Sequence, residues 1–296
     1  MLKIRVPATS ANLGPGFDCI GLALNIWNEV SFEPAEKIIF QVTGEGADRL
    51  NNNPNNLLIR SFQQVYDLCG KKLAGVKIKS HNNILLSSGL GSSASAIVAG
   101  IFGANEMLGR PLDINTLLKV ATQIEGHPDN VAPALLGGLV VSVMDGDEII
   151  SRRYNIPEFT VVIVKPAMDF STHVARSVLP QSVSRADAIF NIGRAALVVD
   201  ALRCNDLDLL KKVMDDKIHQ PYRLEHIPAG LKAYQTARNF GAAALSGAGP
   251  SIICFVEAGK TEEALSSIQA VFEGEGIAAR GLITQPANEG CTVLTD

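Results

Sequence analysis

From its first residues the chain alternates apolar and polar positions. Leu2, Ile4 and Val6 stand against Lys3 and Arg5, the period-two pattern of a half-buried strand. The same pattern predicts strands at Ile20–Leu24, Trp27–Phe32, Ile38–Val42 and Val76–Lys79. Between the first two lies Pro7 to Gly16, rich in Pro, Ser, Asn and Gly, which reads as a loop. The period changes in Leu57–Cys69, where Leu58, Phe62, Val65 and Leu68 recur at helical spacing before Gly70 stops the run. Ala94–Leu108 reads as a helix of small apolar residues ending at Gly109, ahead of Pro111. Asp113 is placed to cap a further helix through Glu125. Leu139–Met144 and Glu148–Tyr154 flank Asp145-Gly146, a strong hairpin signal.

A boundary is expected near Asn155–Glu158, where Pro157 sits in a short polar stretch, giving domains of residues 1–156 and 157–296. Beyond it the pattern predicts a strand at Thr160–Lys165 and helices at Ala186–Arg203, Asp206–Met214 and Ala229–Phe240. Strands at Ala242–Leu245 and Ile252–Val256 enclose a glycine loop, followed by a helix at Thr261–Phe272 and a strand at Ile277–Ile283. With so many hairpin-type neighbours, α+β fits better than a doubly wound parallel sheet.

Composition narrows the function classes. Hydrophobic residues make up 47% and charged ones 19% of 296 residues, enough for two cores and too little charge for disorder. A net charge of -4 argues against a nucleic-acid partner, because backbone phosphates demand concentrated Lys and Arg. Five scattered cysteines without a CxxC suit a reducing compartment. No secretory segment follows the first strand, and Gly, Ser and Pro interrupt the richest apolar stretch, Ala242 to Val256. A cytoplasmic protein without a membrane partner is expected.

Three clusters carry candidate chemistry. Ser87-Ser88-Gly89-Leu90-Gly91-Ser92-Ser93 runs directly into a predicted helix, so its backbone N–H groups and the helix start face the same point. It is neither GxxxxGK[ST], for want of the lysine, nor GxGxxG. Taken alone it is equally a flexible turn with a serine cap. The N-terminal loop adds Asn12, Gly14, Gly16 and Asp18, and Asp18 precedes an apolar strand and must turn toward something polar. Glu125-Gly126-His127-Pro128-Asp129-Asn130 places four polar side chains at the end of an apolar helix, as a functional or a capping turn. His81, His173, His219 and His226 show no metal spacing and read as surface or structural residues.

Together these segments resemble a known family. Pro7-Ala8-Thr9-Ser10-Ala11-Asn12-Leu13-Gly14-Pro15-Gly16-Phe17-Asp18 is similar to the first motif of the GHMP kinases, in the form carried by their homoserine-kinase branch. Gly89-Leu90-Gly91-Ser92-Ser93-Ala94 resembles the phosphate loop of that family, and Ser246-Gly247-Ala248-Gly249-Pro250-Ser251 its third motif. His127-Pro128-Asp129-Asn130-Val131-Ala132-Pro133 resembles the substrate turn. One departure is visible: Leu86, Ser87 and Ser88 stand where the family loop usually opens with a proline and another glycine.

The resemblance implies an N-terminal domain like ribosomal protein S5 domain 2 and a C-terminal ferredoxin-like domain, with the active site between them. It implies ATP and Mg²⁺ as cofactors and L-homoserine as the small-molecule substrate, phosphorylated on its side-chain hydroxyl in threonine biosynthesis. A homodimer is suggested by the relatives. On this reading Asn56, Ser87, Ser88, Gly89, Leu90, Gly91, Ser92, Ser93 and Ala94 hold the nucleotide, and Ser93 with Glu125 holds the metal. Asp18 takes the substrate ammonium, Arg176 and Arg223 its carboxylate, and Thr172 and His127 line the pocket. Asn12 and Asn130 orient the reacting hydroxyl without a strong side-chain base, Asp129 being the runner-up base. Asn56 reads equally well as a helix cap. The rivals are a family member acting on mevalonate or a sugar, and a nucleotide-binding regulator that has lost catalysis.

Overall fold

The computed structural model describes residues 1–51, 53 and 55–295. The opening alternation forms β1 (Leu2–Ala11), antiparallel to β2 (Ile20–Pro34). Both are longer than the pattern predicts. Pro7–Ala11, expected as loop, is strand, because the pairing slips between Pro7 and Ala8 just where proline lacks an N–H to give. On β2 the same slip absorbs Asn25 and Ile26 and fuses the two predicted strands into one.

The first half continues through β3 (Ile39–Gly44), α1 (Ala47–Leu50), α2 (Leu57–Leu68), β4 (Val76–Asn82), α3 (Ser92–Met107), α4 (Ile114–Glu125), α5 (Pro128–Leu136), β5 (Leu139–Asp145) and β6 (Glu148–Tyr154). β1-β2-β4-β3 lie in that order, β5 and β6 extend from β2, and only β3 and β4 among these pairs run parallel. Helices α2 to α5 pack on the sheet around Phe32, Phe62, Ile78, Ile97, Ile101 and Val131. The small residues of α3 are what permit this closeness: a Cβ at Gly100 would sit 2.4 Å from the Leu58 carbonyl of α2, and one at Gly103 2.4 Å from the Phe32 ring.

The second half comprises β7 (Val161–Pro166), α6 (Thr172–Ser177), α7 (Arg185–Cys204), α8 (Leu207–Val213), α9 (Gln220–Leu224), α10 (Gly230–Arg238), β8 (Gly241–Leu245), β9 (Ile252–Val256), α11 (Thr261–Glu273) and β10 (Ala279–Thr284). Its antiparallel sheet has the order β10-β7-β9-β8, that is fourth-first-third-second in chain order, the ferredoxin-like arrangement. The chain passes from the first sheet to the second between Tyr154 and Val161, and its tail then returns. β11 (Thr292–Val293) pairs with Ile4 and Arg5 of β1, so residues 157–296 do not all pack with the second sheet. A shared core of Leu13, Leu22, Leu24 and Leu139 from the first half and Phe159, Ile163, Ile253 and Phe255 from the second joins the two sheets. The seam above that core is where the polar loops meet.

Candidate active site

The glycine loop ends at Gly91, which caps α3 in the left-handed region at φ 68 without any side-chain cap. The N–H groups of Ser92, Ser93 and Ala94 in the first turn of α3 therefore have no partner within the helix and carry its positive end. A Cβ at Gly91 would lie 1.9 Å from Thr9 Oγ1, so only glycine turns here. β1 and the second glycine loop clamp the turn. Thr9 N–H donates to the Leu90 carbonyl at 3.1 Å, and Ser246 Oγ donates to the Gly89 carbonyl at 2.8 Å. Where the family pattern has its proline and extra glycine, Ser87 adopts a left-handed backbone (φ 49). Ser88 Oγ donates to the Leu85 carbonyl at 2.7 Å and accepts from Leu90 N–H at 3.2 Å. Ser87, Ser88, Gly89, Gly91, Ser92 and Ser93 line the cleft. Leu90 and Ala94 turn their side chains into the core and are not among its lining residues.

Facing Ser93 is Glu125, the last residue of α4, whose Oε1 accepts from Ser93 Oγ at 2.7 Å. Burial raises the pKa of its carboxyl, against the opposing effects of the Ser93 hydroxyl and His127. Gly126 then reverses the chain, and α5 begins at Pro128. Asp129 is buried and hydrogen-bonded to His127 Nδ1. Asn130 is fixed at both ends of its amide: Oδ1 accepts from Thr9 Oγ1 at 2.8 Å and Nδ2 reaches Asp129 Oδ1 at 3.3 Å. For His127, burial disfavours the cation, but the hydrogen bond and charge of Asp129 outweigh it and the net pKa shift is upward. A raised imidazole pKa adds stability that is fully present below its ordinary value of about 6.5 and is lost as pH rises through the folded value. Wild type should therefore exceed His127→Gln in urea-unfolding free energy by more at about pH 6 than at about pH 9. An equal gap at both would remove the charged His127–Asp129 pair from the account.

Across the cleft, Asp18 sits at a left-handed backbone position (φ 56), and its amide donates to Asn12 Oδ1 at 2.9 Å. Asn12 Nδ2 donates to the Gly247 carbonyl at 2.8 Å, tying the first motif to the third. Arg176 on α6 grips Asp18 with two parallel bonds of 3.0 and 2.9 Å, and this pairing raises the guanidinium pKa. Arg223 on α9 is 2% exposed, and burial lowers its pKa to about 10. It donates to the carbonyls of Ala175 (3.0 Å) and Gly247 (3.3 Å). Both guanidinium groups lie over the Phe17 ring, at 5.8 and 5.2 Å from its centroid.

Beneath them His219, read from sequence as surface or structural, proves to be a buried structural residue. Its Nε2–H donates to the Gly14 carbonyl at 2.7 Å, which leaves Nδ1 as the acceptor for Arg223 Nη1 at 3.2 Å. Its ring stacks on Phe17, and burial keeps its pKa low and the ring neutral. Asp216 anchors the turn by accepting from the amides of Ile218, His219 and Gln220 and from Asn191 Nδ2.

The structure thus brings Asn12, Asp18, Ser93, Glu125, His127, Asn130, Thr172, Arg176 and Arg223 around one cleft of about 290 Å³. A second cavity of about 310 Å³ opens from the same loop through Ser87, Ser92 and Ser93. Phe40, Val42, Leu50, Leu57 and Leu86 give it apolar walls, and Asn53, Ser80 and Asn82 supply polar edges. Asn56 lines it too while capping α2, its side chain accepting from Leu58 N–H at 3.0 Å. Of the other walls, Phe40, Val42, Ser80 and Asn82 come from strands whose alternation does not say which face a ligand touches, and Leu50, Asn53, Leu57 and Leu86 from short helix ends and connections that carry no signal of their own. No group of three or more His, Cys, Asp or Glu side chains is assembled for a metal among the described residues. The hard hydroxyl–carboxylate pair Ser93 and Glu125 fits a Mg²⁺ ion that takes its other ligands from phosphates and water.

A helix start with unpaired N–H groups, an apolar-walled cavity beside it and a charged cleft opposite are the arrangement that a small-molecule phosphotransferase needs. Residues 56–138 match the GHMP kinases N terminal domain and residues 198–274 the GHMP kinases C terminal domain, and the chain belongs to the GHMP kinase family. It is 42% identical to the homoserine kinase of Moorella thermoacetica, covering 99% of this chain and 100% of that protein. It is 39% identical to that of Carboxydothermus hydrogenoformans over 99% of this chain and 97% of that one. The solved homoserine kinase from Cytophaga hutchinsonii superposes with a TM-score of 0.87 at 28% identity, covering 99% of this chain and 97% of that one. A mevalonate kinase structure (TM-score 0.71, 17% identity, covering 98% of this chain and 100% of that one) shares the fold. Use of ATP follows from membership of a kinase family. No helix among the described residues is long and apolar enough to cross a membrane.

Proposed function

We propose that this chain transfers the γ-phosphoryl group of ATP to the side-chain hydroxyl of L-homoserine, giving O-phospho-L-homoserine. The carrying observation is the juxtaposition, in one cleft, of an anion-binding helix start with the charge set Asp18, Arg176 and Arg223. A zwitterion needs both signs of charge; mevalonate and sugars offer no ammonium for Asp18 to hold. Phosphoryl transfer asks a protein for positioning and charge neutralisation rather than covalent chemistry. The amides of Ser92, Ser93 and Ala94 cradle the phosphates, and the cavity walled by Phe40, Leu50 and Leu86 receives the base. Ser93 and Glu125 hold Mg²⁺, which when bound offsets the charge of the triphosphate.

At the acceptor end Asp18 takes the ammonium and Arg176 with Arg223 the carboxylate, while Thr172 closes the wall. Asn12 and Asn130 orient the hydroxyl. Each amide already spends bonds on the frame, but an amide has two N–H bonds and two oxygen lone pairs, so donor and acceptor capacity is left for the substrate. Asp129, engaged by His127 and Asn130, serves as an anchor, and the hydroxyl proton leaves late, toward the phosphate or solvent. The deciding measurement is an ATP-dependent assay over a panel of L-homoserine, mevalonate and a sugar, with products identified by phosphorus NMR. L-homoserine should be phosphorylated at least ~10²-fold more efficiently than the others, because an acceptor without an ammonium cannot draw Asp18 away from Arg176. Turnover of mevalonate but not homoserine would refute the substrate while leaving the family intact.

A further inference from the structure

His219 is fully buried, yet no step of the proposed reaction uses it. It stands at the N-terminal edge of α9, one helical turn before Arg223, so the two side chains share a face. Two contacts fix the ring. Its Nε2–H donates to the Gly14 carbonyl at 2.7 Å, and Phe17 stacks on it with centroids 5.2 Å apart and planes 24° from parallel. The loop that carries this carbonyl is tightly packed: Gly14 is left-handed (φ 72), and a Cβ there would lie 2.2 Å from the Met214 carbonyl. With the proton on Nε2, Nδ1 presents a lone pair, and it points at Arg223 Nη1 3.2 Å away. Asp216 lies 3.6 Å from Nε2 without bonding to it, its oxygens accepting from the amides of Ile218, His219 and Gln220.

The two arginines of the acceptor cleft are held in different ways. Arg176 is gripped by a carboxylate, that of Asp18. Arg223 is held by three neutral acceptors, the Ala175 and Gly247 carbonyls and His219 Nδ1. A carboxylate in the place of His219 would fix the guanidinium equally well but neutralise it, and a ligand's carboxylate would then have to displace it. A neutral imidazole fixes the group and leaves its charge. Among the described residues the three bonds occupy Nε and Nη1, which leaves Nη2 for a ligand in the cleft that Arg223 lines. We propose that His219 is a positioning residue for the acceptor: its Nδ1 lone pair orients the Arg223 guanidinium so that Nη2 meets the substrate carboxylate. This rests on the reading that Arg223 binds that carboxylate.

Two isosteric exchanges separate the two bonds of the ring. In His219→Gln the amide nitrogen stands where Nε2 does and keeps the bond to Gly14, while nothing replaces Nδ1. In His219→Asn the amide oxygen stands where Nδ1 does and keeps the acceptor for Arg223, while the bond to Gly14 is lost. Both lose the ring and its stacking on Phe17, so the difference between them reports the bonds. His219→Gln should raise the KM for L-homoserine by about 10-fold, with the KM for ATP within a few-fold of wild type. His219→Asn should stay within a few-fold of wild type on both. In an Arg223→Ala background, His219→Gln should change kcat/KM for homoserine by less than about 2-fold further, because nothing is left to position. An Asn variant with a homoserine KM as high as that of the Gln variant, or a further loss of ~10-fold without Arg223, overturns the proposal. If the Asn variant does not fold, the Arg223→Ala comparison decides. A wild type that phosphorylates mevalonate and not homoserine refutes the substrate alone, since mevalonate also carries a carboxylate and the same comparisons apply to it.

Discussion

Glu125→Gln should lower kcat by about 10³-fold while the fold becomes no less stable. The exchange keeps the shape and leaves an oxygen to accept from Ser93 Oγ, so the frame around the end of α4 is preserved. What disappears is a negative charge that on the proposed mechanism helps to hold Mg²⁺ against the phosphates. The stability side follows from the sign of the pKa shift. Burial raises the Glu125 pKa, so folding loses free energy as pH rises from the ordinary carboxylate range toward the folded value. The penalty then persists at higher pH, and glutamine is never charged and escapes it. A residue kept for structure shows the reverse, losing stability and activity together when replaced. The check is kcat at saturating ATP, homoserine and Mg²⁺, beside the calorimetric Tm. Retention of more than a tenth of wild-type kcat would sink the assignment.

Much of this site was legible before any coordinates, for reasons that differ from residue to residue. Gly91 and Ser92 announce a turn entering a helix because glycine tolerates φ 68 and nothing else fits beside Thr9. The long periodic segments behaved likewise, since a dozen residues of helical spacing leave little freedom. The short pieces α6, α9 and β11 left no such signal. Two of them matter: α6 carries Arg176 and α9 carries Arg223, residues reached in the sequence only through family resemblance. Pro7–Ala11 reads as loop because Pro, Ser, Asn and Gly crowd the stretch from Pro7 to Gly16, whereas pairing of Pro7 with Trp27 and of Ala8–Ala11 with Gly21–Leu24 overrides that local preference. Nor does any local pattern foretell His219. Its partners Gly14 and Arg223 are one distant and one near in sequence, and only the docking of two sheets brings all three together.

Asp18→Asn should raise the KM for L-homoserine by about 10²-fold while the KM for ATP stays within a few-fold. Without substrate, Asp18 and Arg176 neutralise each other across the cleft, each side chain more than a third exposed or nearly so. Such a half-solvated pair is worth little by itself, ~1 kcal/mol or less, so opening it costs the substrate little. On the proposed function the incoming zwitterion replaces one internal pair by two, its ammonium against Asp18 and its carboxylate against Arg176 and Arg223. The protein's own carboxylate thus holds Arg176 in place until the substrate's carboxylate takes over. A sharper consequence concerns an acceptor without the amino group, 4-hydroxybutanoate. In the wild type it leaves Asp18 bound to Arg176 and competes poorly for that guanidinium. In Asp18→Asn the guanidinium is released and no ammonium is demanded. Discrimination between homoserine and 4-hydroxybutanoate, taken as the ratio of kcat/KM, should therefore collapse by at least ~10-fold in the variant. Unchanged discrimination would mean that the ammonium is bound elsewhere, and that the Asp18–Arg176 bridge only fastens α6 to the first domain.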